Sequence, residues 1–125
     1  MDKKNIKIKV IEHSNCDCET LTNVIGEISK NQRDLRYEEE NVSVKIFINE
    51  EIVIKKTHSD YDLTLIFNEN KKTSSLYKIK SPEINFNVEV DTIFLEKSKR
   101  GFIIKYNLTI NKEYAGLFEI YLRWE

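Results

Sequence analysis

The run Ile84-Asn85-Phe86-Asn87-Val88-Glu89-Val90-Asp91 puts an apolar residue at every second position. Strands have a side-chain period of two, so this run folds with one face in a core and the other in water. As a helix it would scatter its apolar groups around the circumference. The same alternation runs through almost the whole chain, residues 5–125. Ile6, Ile8 and Val10 make a first stripe. Val42, Val44, Ile46 and Ile48 make another, and after Asn49-Glu50-Glu51 it continues as Ile52, Ile54 and Lys56. Tyr61, Leu63, Leu65 and Phe67 follow. Residues 76–80 read as a short strand stopped by Pro82, which has no N–H to give to a ladder. Phe102, Ile104, Tyr106, Leu108 and Ile110 form a long stripe, and Phe118, Ile120, Leu122 and Trp124 form the last. So many half-buried antiparallel strands in a small chain mean a sandwich or a closed barrel.

The interruptions are equally informative. Apolar parity slips between Val90 and Ile93, which predicts a bulge or a bend. Ser98-Lys99-Arg100-Gly101 reads as a hairpin loop with Gly101 supplying a positive φ. Polar turns are expected at residues 13–17, 58–60, 68–72 and 111–113. One segment has a helical rival, because Leu21, Val24, Ile25 and Ile28 stand at i, i+3, i+4 and i+7. Against the helix, Thr20, Thr22, Val24 and Ile25 are β-branched, and Gly26 costs about 1 kcal/mol relative to Ala. Two strands, residues 19–29 and 35–39 joined at Asn31-Gln32, are favoured.

Short turns between consecutive stripes imply strands that pair up and down, and closure of such a sheet removes its edges. The expected fold is all-β: an antiparallel meander β-barrel of about eight or more strands, residues 1–125 forming one domain. The interior of such a barrel is either filled by side chains or holds one small ligand. The 20 basic and 21 acidic residues give a net charge of −1. That balance builds no field to steer nucleic acid or an anionic membrane, so neither partner is expected. No stretch approaches the roughly 18 apolar residues of a membrane helix. No apolar h-region follows the first lysines, so the expected location is cytoplasmic. The two cysteines are then expected as free thiols. Nothing in the sequence indicates an oligomeric state.

Strand parity gathers one polar set onto the apolar side. With Val42 and Ile46 inward, a continuous strand puts Tyr37 and Glu39 on one common face. Lys56 shares parity with Ile52 and Ile54, Tyr77 with Ile79, and Tyr106 lies in the stripe from Phe102 to Ile110. Tyr37, Glu39, Lys56, Tyr77 and Tyr106 facing the interior would orient a small ligand with a polar head and an apolar body. The competing reading puts Glu39 and Lys56 in water at the barrel ends and the phenols at the rim. An interior filled by Phe67, Phe86, Phe102, Phe118 and Trp124 would instead suit a protein-interaction module with no ligand.

Other clusters are weaker. His13, Cys16 and Cys18 lie within six residues, but Cys-x-Cys is not a zinc-knuckle spacing and no second pair follows. Glu38-Glu39-Glu40 and Glu50-Glu51 read as solvated edges rather than a cation site. Glu89 and Asp91 share the polar face of their strand. Three glycines leave no material for a phosphate loop. No cofactor, metal or catalytic residue is expected, and the chain reads as a binder rather than an enzyme.

Several pieces in order carry a family resemblance. They are Tyr37-Glu38-Glu39 before a Val/Ile-rich strand, Ile52-Val53-Ile54-Lys55-Lys56, Leu65-Ile66-Phe67, Tyr77, the alternation from Ile84 to Thr92, and Ile104-Lys105-Tyr106-Asn107-Leu108 with the terminal stripe. This order resembles the YwiB-like family of small bacterial proteins, a domain of unknown function. The resemblance implies a calycin-like (lipocalin-like) barrel and no assigned activity. Lys56 and His58 stand where the family often has Arg and then Gly, and Ile79-Lys80-Ser81-Pro82-Glu83 replaces its Thr-Pro-x-Gly turn.

Overall fold

A computed structural model describes residues 1–14 and 17–125. Ten strands run in order: β1 (Asp2–Glu12), β2 (Cys18–Ile28), β3 (Asp34–Glu39), β4 (Val42–Ile48), β5 (Ile52–Thr57), β6 (Tyr61–Phe67), β7 (Lys72–Lys80), β8 (Glu83–Ser98), β9 (Gly101–Ile110) and β10 (Glu113–Trp124). Each pairs antiparallel with its neighbour in sequence, and β1 pairs with β10 to close the barrel. No helix occurs among the described residues. Asn15 and Cys16, at the centre of the first expected turn, lie outside them.

The disputed segment is a strand. β2 pairs with β1 over its whole length, from Asp2 opposite Ile28 to Glu12 opposite Cys18. Period two therefore decides the faces: Ile28 is inside, whereas Leu21 and Ile25 point outward, 69% and 70% exposed. Gly26 has a packing reason to be there. A Cβ on it would stand 2.4 Å from both the Arg36 carbonyl oxygen and Ile6 Cδ1, so only glycine lets β3 cross so near.

Gly101 corrects an expectation. Positive φ occurs at Gly116 and not at Gly101. Gly101 instead lies against β10, where a Cβ would come within 2.1 Å of the Leu122 carbonyl oxygen. Left-handed backbone is found in the hairpins at Glu40-Asn41 and Asn111-Lys112, two-residue turns whose twist matches the flanking strands. The parity slip is a bulge: β8 shifts register against β9 between Thr92 and Phe94, and Ile93 is left exposed.

β7 is longer than the five residues expected because its first half carries hydroxyls instead of an apolar stripe. Only Tyr61, Asp62 and Leu63 of β6 pair with it. Beyond them the strands part, and the Ser75 and Thr73 hydroxyls donate to the carbonyls of Thr64 and Ile66. Side chains thus continue the seam where the backbone ladder stops.

The interior has two halves. At the end holding the start of β1 and the end of β10, Phe67, Phe102 and Trp124 pack with Ile6, Ile28, Leu35 and Ile52. The opposite end is less filled, and that is where the polar residues gather.

Candidate functional site

A cavity of about 250 Å³ occupies the less filled half. Its wall is mostly aliphatic, including Val10, Ile54, Leu63, Leu65 and Val88, with Phe118 among them. Four polar side chains complete it: Tyr37, Lys56, Tyr77 and Tyr106. Register explains how three of them meet. Tyr37 pairs with Val44, Val44 with Lys56, Lys56 with Leu63 and Leu63 with Tyr77. One lateral row across β3 to β7 therefore carries a phenol, an ammonium and a second phenol, all on the inner face.

Tyr106 comes from β9 and is fixed by aromatic neighbours. Its ring meets Phe67 edge-on at 4.8 Å and stacks on Phe118 at 5.5 Å. Tyr77 sits between the edge of Tyr61, at 5.6 Å, and Phe86, at 6.0 Å. Rings held this way have few rotamers left, so the phenols are set in advance for any ligand. Of the five aromatic residues weighed as barrel filling, Phe67, Phe102 and Trp124 fill the packed end. Phe118 lines the cavity, and Phe86 is half-buried beside Tyr77.

Glu39 stands apart from the other four. It follows Tyr37 by two residues on the same face and is half-buried, but it is not part of the cavity wall. Its Oε1 accepts a hydrogen bond from the Thr22 hydroxyl at 3.1 Å. Among the described residues it makes no direct ion pair with Lys56, though its field still reaches the amine. Thr22 was not singled out from the sequence; its parity with Thr20 and Val24 on β2 is the signal that would have placed it inside.

Burial sets the protonation states. It pushes the Lys56 ammonium below the usual lysine range, and the Glu39 carboxylate pulls it part of the way back. Burial raises Tyr37 above the ordinary phenol range, with a smaller contribution from Glu39, and raises Tyr106 by itself. Both phenols therefore keep their protons at neutral pH. Among the described residues, no side-chain hydrogen bond engages Lys56 Nζ or the three phenol oxygens. The cavity thus presents an apolar wall with one amine and three phenols that can donate hydrogen bonds.

The remaining candidates are structural. His13 lies outside the barrel, where it bonds Asp17 at 3.0 Å and Glu119, which also accepts the Tyr121 hydroxyl at 2.6 Å. Cys18 is disulfide-bonded, which corrects the expectation of a free thiol; that expectation came from compartment and held no geometric information. No group of three metal-binding side chains occurs among the described residues. Glu89 and Asp91 are exposed on the outer face. A larger hollow of about 630 Å³ lies outside the barrel beside Lys9, Leu21, Tyr121 and Arg123. It is an open surface depression and does not enclose a small molecule, so the smaller internal cavity is the better candidate.

The His13 cluster gives a pH dependence. Glu119 and Asp17 hold the imidazolium above the ordinary 6.5, so its stabilisation is complete below about pH 6.5 and fades as pH rises through the raised value. Glu119 is lowered from 4.5, first by the Tyr121 hydroxyl and then by His13. Its contribution is present above about pH 4.5 and is lost on acidification through the lowered value. Melting temperature measured against pH should therefore fall on the alkaline side near neutrality, and His13→Gln should flatten that limb.

A family model for a domain of unknown function, DUF1934, matches residues 5–122 of the chain. No curated protein matches. One solved structure that is similar is the crystal structure of the ywiB protein from Bacillus subtilis. It is 12% identical, covers 98% of this chain and 90% of that one, and superposes with a TM-score of 0.62. At that identity the likeness concerns the fold alone.

Proposed function

From the premise that the chain belongs to the DUF1934 family, a domain of unknown function, we propose that it is a binding protein rather than an enzyme, its barrel taking one small amphiphilic molecule. The observation that carries this reading is the cavity with Tyr37, Lys56, Tyr77 and Tyr106 on its wall. Tyr37 and Tyr106 are buried, and Lys56 and Tyr77 are half-buried. Leucine or phenylalanine at these positions would fill the space with no polar atom to satisfy. Four polar side chains on one hollow are explained if their partner is a ligand. The alternative is a protein-interaction module with a fully packed barrel and no ligand; the hollow at this end favours the binder.

The test is thermal denaturation of the purified protein with short amphiphiles of increasing chain length. A ligand that binds only the native state at 100 times its Kd adds about 2.7 kcal/mol. The melting temperature should rise by several degrees for chains that fit and return to baseline for longer ones. A flat response across the whole series overturns the reading.

A further inference from the structure

Building on that reading of the cavity, we propose that the ligand is a small monocarboxylate, its carboxylate held by Lys56 and the phenols and its apolar body lying against Leu65, Val88 and Phe118.

The charge inventory is one-sided. An ammonium offers three donors and no acceptor, and each phenol can offer its O–H as well as accept at its oxygen. No carboxylate or amide side chain belongs to the cavity wall, and Glu39 stands off it with Thr22 on one oxygen. The complement of one cation beside phenols that can donate is an anionic acceptor. A carboxylate is acceptor-only, with about four lone-pair positions, so it can engage the amine and the phenols together through charge-assisted bonds. A primary amine would instead meet Lys56 with like charge. An alcohol would leave the ammonium without a counter-ion in a largely apolar space, where an unpaired charge is costly.

Charge and size narrow the class further. The wall carries a single cation, which matches one negative charge better than the two of a phosphate monoester. A volume of 250 Å³ holds roughly eight heavy atoms if each takes about the 30 Å³ of a water molecule. That is the scale of a six-carbon or aromatic acid, well short of a long-chain fatty acid. Glu39 acts from the side: its field favours the charged form of Lys56.

Hexanoate, hexan-1-ol and hexylamine share one tail and differ in the head. Calorimetric titration at pH 7 should show hexanoate binding about tenfold or more tighter than hexan-1-ol, with hexylamine giving no heat. Lys56→Met should remove the preference for hexanoate while hexan-1-ol still binds. Lys56→Arg should keep the preference. If hexan-1-ol or hexylamine binds wild type as tightly as hexanoate, the carboxylate assignment is overturned and the cavity reading survives. If none of the three binds a protein with a well-dispersed amide spectrum, both fall. Should Lys56→Met unfold, Lys56→Arg decides: loss of the preference for hexanoate overturns the assignment.

Discussion

Replacing Phe67 by Ala is expected to lower stability by about 4 kcal/mol, a fall of roughly 15 °C in melting temperature for a domain of this size. Phe67 is fully buried and closes the packed half of the barrel against Tyr106. Removing its ring loses the transfer free energy and leaves a hole that the surrounding side chains, with β6 tied to β5 at Ile52, cannot collapse. Phe118→Ala is the comparison. That ring borders space already present, so its loss removes fewer contacts and should cost about half as much. Chemical denaturation of the two variants reads the difference directly. Equal losses would mean that the two halves of the interior are packed alike.

Two valines on β8 give the second large contrast. Val88 and Val90 share a face, stand two residues apart and are each 1% exposed. Val88 borders the cavity, and Val90 does not. Val90→Phe forces a ring into filled space and should cost about 3 kcal/mol. Val88→Phe has the cavity to enter and should stay within about 1 kcal/mol of wild type while losing ligand binding. Overpacking thus separates occupied from unoccupied interior, and a severe loss in both variants would argue against the cavity.

Much of this architecture was legible because alternation is a local property. Ile84 to Asp91 showed its faces without any knowledge of its neighbours, and a one-residue shift of parity was enough to mark the bulge at Ile93. The same logic brought Tyr37, Lys56, Tyr77 and Tyr106 to one interior, since closure turns every inward face toward a common centre. Ten strands form where about eight or more were expected.

What was missed depends on the third dimension. Gly101 was read through backbone freedom, whereas its constraint is the Leu122 carbonyl on β10. The first half of β7 has serines and threonine where a stripe would be, and their bonds to β6 have no sequence signature. Glu39 has the right parity, yet the separation between β2 and β3, which pair only at Glu27 with Arg36 and Ile28 with Leu35, leaves its side chain with Thr22 rather than on the cavity wall. Parity fixes the side of a sheet and says nothing of how far along the barrel axis the hollow extends.

Native mass spectrometry of the protein isolated from its own host addresses the hollow most directly. The folded species should carry one added mass of metabolite size, released on denaturation as an acid and absent from the Val88→Phe variant. A bare mass in both proteins, together with an unchanged melting temperature in host extract, would contradict a ligand chamber at this end of the barrel.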